Sequence, residues 1–128
     1  MRYFFVIFIF STVVSCKLNP YPYVQGRNLY VAHCQNCHME DGKGLNKLIP
    51  SLPGSQWMGN ADMVCIIKNG MMDTLWNGND FMVKEMPSFS GLSPTEVANI
   101  VNFVNYEWNP DFKEFSIKEI QESLNQCK

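Results

Sequence analysis

The segment Cys34-Gln35-Asn36-Cys37-His38 decides how this chain is interpreted. Two cysteines separated by two residues, with a histidine directly after the second, form the attachment pattern of a c-type haem. The spacing has a chemical reason, because each thiol adds to one vinyl group of the porphyrin and the next residue presents an imidazole nitrogen to the iron from the same side. We therefore expect Cys34 and Cys37 to bind one haem c covalently and His38 to be an axial ligand.

Two other kinds of site share part of this pattern. A thioredoxin-like pair of cysteines would require a βαβ unit, whereas the surrounding sequence is typical of helices and loops. A structural zinc site would need four ligands, and the remaining candidates, His33, Cys65 and Cys127, are irregularly spaced. The choice between these sites and haem depends on whether the rest of the chain supplies a haem pocket.

The second axial ligand is expected to be a methionine. The chain has two histidines, and His33 lies too close to His38 on one short segment to reach the opposite face of the iron. Met86 is favoured among eight methionines because Glu85-Met86-Pro87-Ser88-Phe89 is expected to form a loop before a helix, in which the proline stiffens the backbone. Met82 is the alternative ligand. The other methionines are expected to line the pocket or to fill gaps in the core.

Helix signals dominate the remaining sequence. Ser93-Pro94-Thr95-Glu96 combines a capping box with proline at the first helical position, and Ser116 with Glu119 forms a second box. Hardly a strand is expected, so the predicted fold class is all-α. The predicted helices are one of about ten residues that carries Gly26, Tyr30 and the cysteine motif, followed by Ala61 to Asn69, Pro94 to Glu107 and Ile117 to Gln126.

The first residues are typical of an export signal. Met1 and Arg2 form a short positive region, and the apolar run Tyr3 to Val14 follows. Twelve helical residues span about 18 Å, which is short of a hydrocarbon core about 30 Å thick, so a stable membrane span is disfavoured against a cleaved signal. We therefore expect residues 1–15 to be a signal peptide and the protein to be exported.

The residues around the expected cleavage site suggest a lipid anchor. Val13-Val14-Ser15-Cys16 resembles the bacterial lipobox, in which the cysteine is acylated and becomes the first mature residue. The resemblance implies lipidation of Cys16 and a tether over residues 16–23, which Pro20 and Pro22 would keep extended. The expected location is the periplasmic or cell-surface side of a bacterial membrane.

Composition limits the classes of partner. The 128 residues allow one small domain, and 46% hydrophobic with 17% charged residues suits a compact globule. The formal charge of −2 arises from ten basic and twelve acidic residues scattered along the chain. Nucleic acid is therefore not an expected partner, because a phosphate backbone selects a basic face.

The whole pattern resembles a class I cytochrome c of the single-haem bacterial type. The resemblance implies a cytochrome c domain over residues 24–128, with four to five short helices around one covalently attached haem and with His38 and Met86 as axial ligands. It also implies that the Pro50 carbonyl accepts the free N–H of the ligand imidazole. Trp57 and Trp76 are candidates to line the haem. The segments that carry the resemblance are Gly26 to Tyr30, the cysteine motif, Asp41 to Gly44, Ile49 to Leu52, Trp76 to Gly78, Met86 to Phe89 and Leu92 to Trp108.

Filled axial positions predict electron transfer, because no open coordination site is left for a substrate. The expected function is that of a membrane-tethered carrier of single electrons between respiratory redox proteins. The alternative is a fixed haem subunit of a larger oxidase or reductase complex. A gas sensor or a peroxidase is a weaker alternative, since either would need an open or labile sixth position.

Two cysteines remain after the lipid and haem sites are assigned. An exported chain meets an oxidising compartment, so Cys65 and Cys127 are predicted to form a disulfide. The alternative is two unrelated thiols, with Cys65 buried as a small apolar residue.

Overall fold

The computed structural model describes residues 21–46, 48–77 and 80–128. In that part of the chain the elements are α1 (Val24–His33), α2 (Gln35–His38), α3 (Asp62–Asn69), β1 (Met71–Asn77), β2 (Asp80–Met86), α4 (Pro94–Trp108) and α5 (Ile117–Gln126). None of the described helices is long and apolar enough to cross a membrane. The predicted signal peptide 1–15 and the predicted lipid site Cys16 lie outside the described residues.

The two capping boxes form as the sequence predicts. Ser93 Oγ accepts the backbone N–H of Glu96 at 3.3 Å, and the Glu96 carboxylate accepts the backbone N–H of Ser93 at 2.8 Å. Ser116 and Glu119 make the same pair of hydrogen bonds at 3.2 and 2.8 Å. Each box satisfies backbone donors that the first helical turn leaves unpaired, which explains why α4 and α5 begin where they do.

Helix α3 begins one residue later than predicted. The Asn60 side chain accepts the backbone N–H of Asp62 at 3.0 Å. The helix ends at Gly70, whose φ of 77° and N–H bond to the Ile66 carbonyl close the last turn. Three residues of α3, Met63, Val64 and Ile67, are buried.

The core lies between α1, α3, α4 and α5. Helix α4 contributes its centre, with both Val101 and Asn105 fully buried. The Asn105 side chain is satisfied, because it donates to the Val101 carbonyl at 2.9 Å and accepts the N–H of Gly59 at 2.7 Å. The second bond attaches the segment that includes Trp57 and Met58 to the core. The buried apolar residues are Tyr30, Met63, Val64, Ile67, Val97, Ala98, Ile100, Val101, Phe103, Val104, Ile120 and Leu124.

The prediction of an all-α chain is wrong for residues 71–86. Strands β1 and β2 form an antiparallel hairpin in which Met71 pairs with Met86 and Asp73 with Lys84. In sequence, the two residues between the strands are Gly78-Asn79, a pair that is common in two-residue hairpin loops. This local signal favours a hairpin over a helix. The sequence predicted a loop around Met86. In the structure Met86 is instead the last residue of β2.

A disulfide joins Cys65 on α3 to Cys127 at the end of α5, with the two Cα atoms 5.3 Å apart. Two hydrogen bonds run beside it: Lys68 Nζ donates to the Leu124 carbonyl at 2.9 Å, and Asn69 Nδ2 donates to the Lys128 carbonyl at 2.9 Å. The C-terminal helix is thus attached to α3 by covalent and polar contacts together.

Candidate haem site

The cysteine motif lies at the junction of α1 and α2. The backbone N–H groups of Cys37 and His38 both donate to the Cys34 carbonyl, at 3.1 and 2.9 Å. This single turn brings residues i, i+3 and i+4 to one side, which is where two thiols and an imidazole must be to meet one ring. Cys34 is half-buried and Cys37 is exposed, and the two thiols are not bonded to each other.

The thiol of Cys34 is protonated at neutral pH. Burial raises its pKa to about 11, and the neighbouring Cys37 adds to the shift. Redox-active Cys-x-x-Cys pairs instead carry a thiol of lowered pKa. The electrostatics of Cys34 therefore argue against the thioredoxin-like alternative.

His38 is the last residue of α2, and its Nδ1 atom is buried without a hydrogen bond of standard geometry. Burial lowers the pKa of the imidazole, and the backbone carbonyl of Pro50 is close enough to oppose that shift. We regard Pro50 as the acceptor towards which Nδ1 is directed, because a buried polar atom needs a partner. A metal-bound histidine commonly donates its other ring N–H to such a carbonyl.

The loop after α2 brings Pro50 to this position. Gly44 N–H donates to the His38 carbonyl at 3.0 Å, and Leu52 N–H donates to the Gly42 carbonyl at 2.8 Å. The start of the loop is held by Tyr30, whose hydroxyl donates to the Met39 carbonyl at 2.6 Å. Burial raises the pKa of Tyr30, so this hydroxyl remains a donor at neutral pH.

One cavity contains the residues that the sequence assigned to haem. Cys34, Cys37, His38, Pro50 and Met86 all line it, and it encloses about 1230 Å³ of atom-free space including its open mouth. Most of the lining is apolar, as a macrocycle would require. Other lining residues include Tyr30, Leu52, Ile66, Ile67, Ile100 and Val104. The chemistry of this donor set and the unpartnered Nδ1 atom fit a haem iron.

Two methionines of the hairpin line the cavity. Met86 lines the cavity, while the alternative ligand Met82 is 49% exposed and is not among the described residues that line it. Met71, the cross-strand partner of Met86, also lines it. Met71 was expected to line the pocket or to fill a gap in the core, and its position opposite Met86 depends on the hairpin register.

Charged and aromatic side chains are also part of the lining. Asp73, Lys84 and Glu85 of the hairpin line the cavity, and so does His33, whose ring lies 5.8 Å from that of Phe89. Trp57, a predicted haem-lining residue, borders the cavity as well. The side chain of Trp76 lies outside the described part of the structure.

The zinc alternative has no geometric support in the ranges that the structure describes. Those ranges contain no group of three or more His, Cys, Asp or Glu side chains that could hold a metal ion. Cys65 and Cys127, which the zinc alternative would use, are joined in the disulfide.

A family model identifies the domain. The model for cytochrome c oxidase, cbb3-type, subunit III matches residues 22–104, which include the cysteine motif, the hairpin and most of α4. The chain belongs to this cytochrome c family. Membership implies that the cytochrome c domain binds haem c covalently and that its function is electron transfer.

Curated relatives are cytochrome subunits of a dehydrogenase. The cytochrome c subunit of alcohol dehydrogenase (quinone) from Gluconobacter oxydans (strain 621H) is 32% identical over 87 residues, which are 65% of this chain and 18% of the relative. Subunits of the same name from Gluconacetobacter polyoxogenes and Komagataeibacter europaeus are 32% identical over 89 residues, or 66% of this chain and 19% of each relative. The cytochrome c chain thus spans less than a fifth of these relatives.

Proposed function

We propose that this chain is a single-haem, electron-transfer subunit of a membrane-bound oxidoreductase complex. Cys34 and Cys37 attach the haem, and His38 and Met86 ligate the iron. The observation that carries the proposal is the cavity that all four residues line. Its two sides come from distant parts of the chain, the cysteine motif and the end of β2.

The bound haem supplies one-electron chemistry, and the protein residues set its conditions. Pro50 orients the His38 imidazole through Nδ1, which fixes the tautomer and increases the basicity of the ligand. The soft thioether of Met86 favours the reduced iron and so raises the reduction potential. With both axial positions filled by protein, electron transfer needs no change of ligand.

The fixed-subunit alternative is favoured over a free shuttle by the relatives, which are named as subunits of a quinone alcohol dehydrogenase. The redox partners are accordingly other proteins of one complex. Lipidation of Cys16 would keep the domain on the exported side of a bacterial membrane, attached through residues 16–23. Membership of a complex and the lipid anchor both restrict the domain to redox partners at the same membrane.

Haem attachment is tested by expressing the chain with a cytochrome c maturation system. The parent should retain one haem on a denaturing gel and in the intact mass, and C34S/C37S should lose it. The matched control C65S/C127S changes two other cysteines and should keep the haem. A parent chain that carries no covalent haem under these conditions would refute the proposal.

Membership of a complex is tested by native electrophoresis of detergent-solubilised membranes from the source organism. A haem-stained band that contains this chain should migrate far above 14.7 kDa together with other redox subunits. Migration of all the protein as a free 15 kDa-class cytochrome would instead favour the tethered shuttle. The lipid anchor is tested separately with C16S, which should remain at the size of the precursor.

A further inference from the structure

Two methionines approach the same side of the cavity from opposite strands. Met71 begins β1, Met86 ends β2, and the two are directly paired in the antiparallel register. Directly paired residues point to the same face of a hairpin, with Cβ atoms about 4.5–5.5 Å apart. Both side chains are half-buried and both line the cavity.

The backbone around this pair is closely held. A Cβ atom at Gly70 would lie 2.5 Å from the Met86 carbonyl oxygen, so the residue before Met71 packs directly against Met86. After Met86, the Phe89 N–H donates to the Ile67 carbonyl at 3.0 Å. The strand pairing and these neighbouring contacts hold the two methionine backbones beside each other. A change of donor would therefore take place through side-chain rotation, for which methionine has three rotatable bonds.

We propose that Met71 is a second thioether donor to the haem iron, which takes the axial position when Met86 leaves it. In the exchange the bond from iron to Met86 Sδ breaks and a bond from iron to Met71 Sδ forms, with no transfer of electrons or protons. The inference rests on the proposed function, because it assumes that Met86 is the resting ligand. Its consequence is that the sixth position remains closed to small molecules during excursions of Met86.

Two further methionines line the cavity, and the one outside the helices, Met58, supplies the control. Met63 is buried in the core on α3, and Met58 lies in the segment before that helix. Neither is paired with Met86 in the hairpin. If any nearby thioether could replace Met86, Met58 would serve as well as Met71. If the strand register decides which thioether can replace Met86, only Met71 will replace it.

The experiment compares M71L, M86A, M58L/M86A and M71L/M86A as holoproteins. Leucine conserves the volume of methionine, and alanine at position 86 leaves space for Met71 to enter. The ferric form is examined for the weak near-infrared charge-transfer band of sulfur-ligated haem, and the ferrous form for its rate of carbon monoxide binding. Haem content and helical circular dichroism establish that each variant is folded.

We expect M71L, M86A and M58L/M86A to retain the sulfur band and M71L/M86A to lose it. Carbon monoxide should bind M71L/M86A at least about tenfold faster than M58L/M86A, because only the former lacks a replacement ligand. The inference is overturned if M86A alone loses the band and binds carbon monoxide as fast as M71L/M86A, or if M71L/M86A retains the band. Absence of the band from the parent and from M71L would instead count against Met86 and the proposed function.

Discussion

A Cβ atom added to Gly26 on α1 would lie 2.1 Å from the backbone carbonyl oxygen of Asn99 on α4. The same atom would lie 2.5 Å from Cβ of Phe103. The two helices therefore cross with their backbones almost in contact, which only glycine at position 26 permits. Since α1 leads into the cysteine motif and α4 supplies Ile100 and Val104 to the cavity, this crossing sets one wall of the haem site relative to its attachment point.

Replacing Gly26 with alanine should destabilise the fold. The added methyl group meets backbone as well as a side chain, so the helices must separate, at a cost of about 1–3 kcal/mol. The measurement is the free energy of unfolding of the holoprotein in urea. The control is G91A, because a Cβ at Gly91 would meet no atom within 4 Å. Equal stability of G26A and G91A would contradict the close crossing.

The helices could be predicted because their signals are local. The capping boxes, the glycine after α3 and the apolar spacing of α4 each lie within a few residues, and the observed bounds of α3, α4 and α5 differ from the predictions by at most one residue. The first helix differs more, because it was expected to carry the cysteine motif, whereas α1 ends at His33 and α2 begins after Cys34. The close approach of Gly26 to Asn99, in contrast, depends on how two helices distant in sequence cross, and it has no local signal.

The hairpin and the methionine side of the site required tertiary information. The sequence 71–86 contains a turn signal, but it is no richer in β-branched and aromatic residues than the rest of the chain, so residue preferences alone did not predict the two strands. The position of Met71 beside Met86 follows from the strand register, which depends on which two residues connect the strands. In contrast, the spacing of Cys34, Cys37 and His38 brings them together through one helical turn.

Removal of the Cys65–Cys127 bridge should lower the free energy of unfolding by about 4 kcal/mol, since the bond closes a loop with a sequence separation of 62 residues. Urea unfolding with and without reductant measures the loss. The haem thioethers are not reduced by thiols, so the comparison isolates this bond. C65S/C127S is the control and should be insensitive to reductant. Alkylation of both thiols in the non-reduced parent would rule the bridge out.

Stability should fall in acid partly through the two capping boxes. Hydrogen bonds from the Ser93 hydroxyl and backbone N–H lower the pKa of Glu96 below its ordinary value of 4.5, and the Ser116 backbone and hydroxyl do the same for Glu119. A lowered folded-state pKa contributes stability that is present above pH 4.5 and is lost as the pH falls through the folded pKa.

The pH dependence is measured with E96Q and E119Q by urea unfolding at neutral pH and at steps below pH 4.5. Each variant should be less stable than the parent at neutral pH, and the difference should shrink in acid as the parental carboxyl is protonated. E122Q, which lies outside both boxes, is the control for a change of charge on an exposed helix. If the difference in the free energy of unfolding between variant and parent grows as the pH falls, the prediction is wrong.

Ser88 should hold Met86 on the iron. Its hydroxyl donates to the Lys68 carbonyl at 2.7 Å, and Lys68 in turn donates through Nζ to the Leu124 carbonyl of α5. S88A removes the first of these bonds and should let the segment after Met86 move. With S88A and S90A each made in the M71L background, which has no second donor, carbon monoxide binding to the ferrous protein should become about two- to tenfold faster with S88A, as expected for a hydrogen bond of about 0.5–1.5 kcal/mol. S90A is the matched control, since the hydroxyl of Ser90 takes no part in this chain of contacts, and equal rates for S88A and S90A would show that Ser88 does not position the ligand.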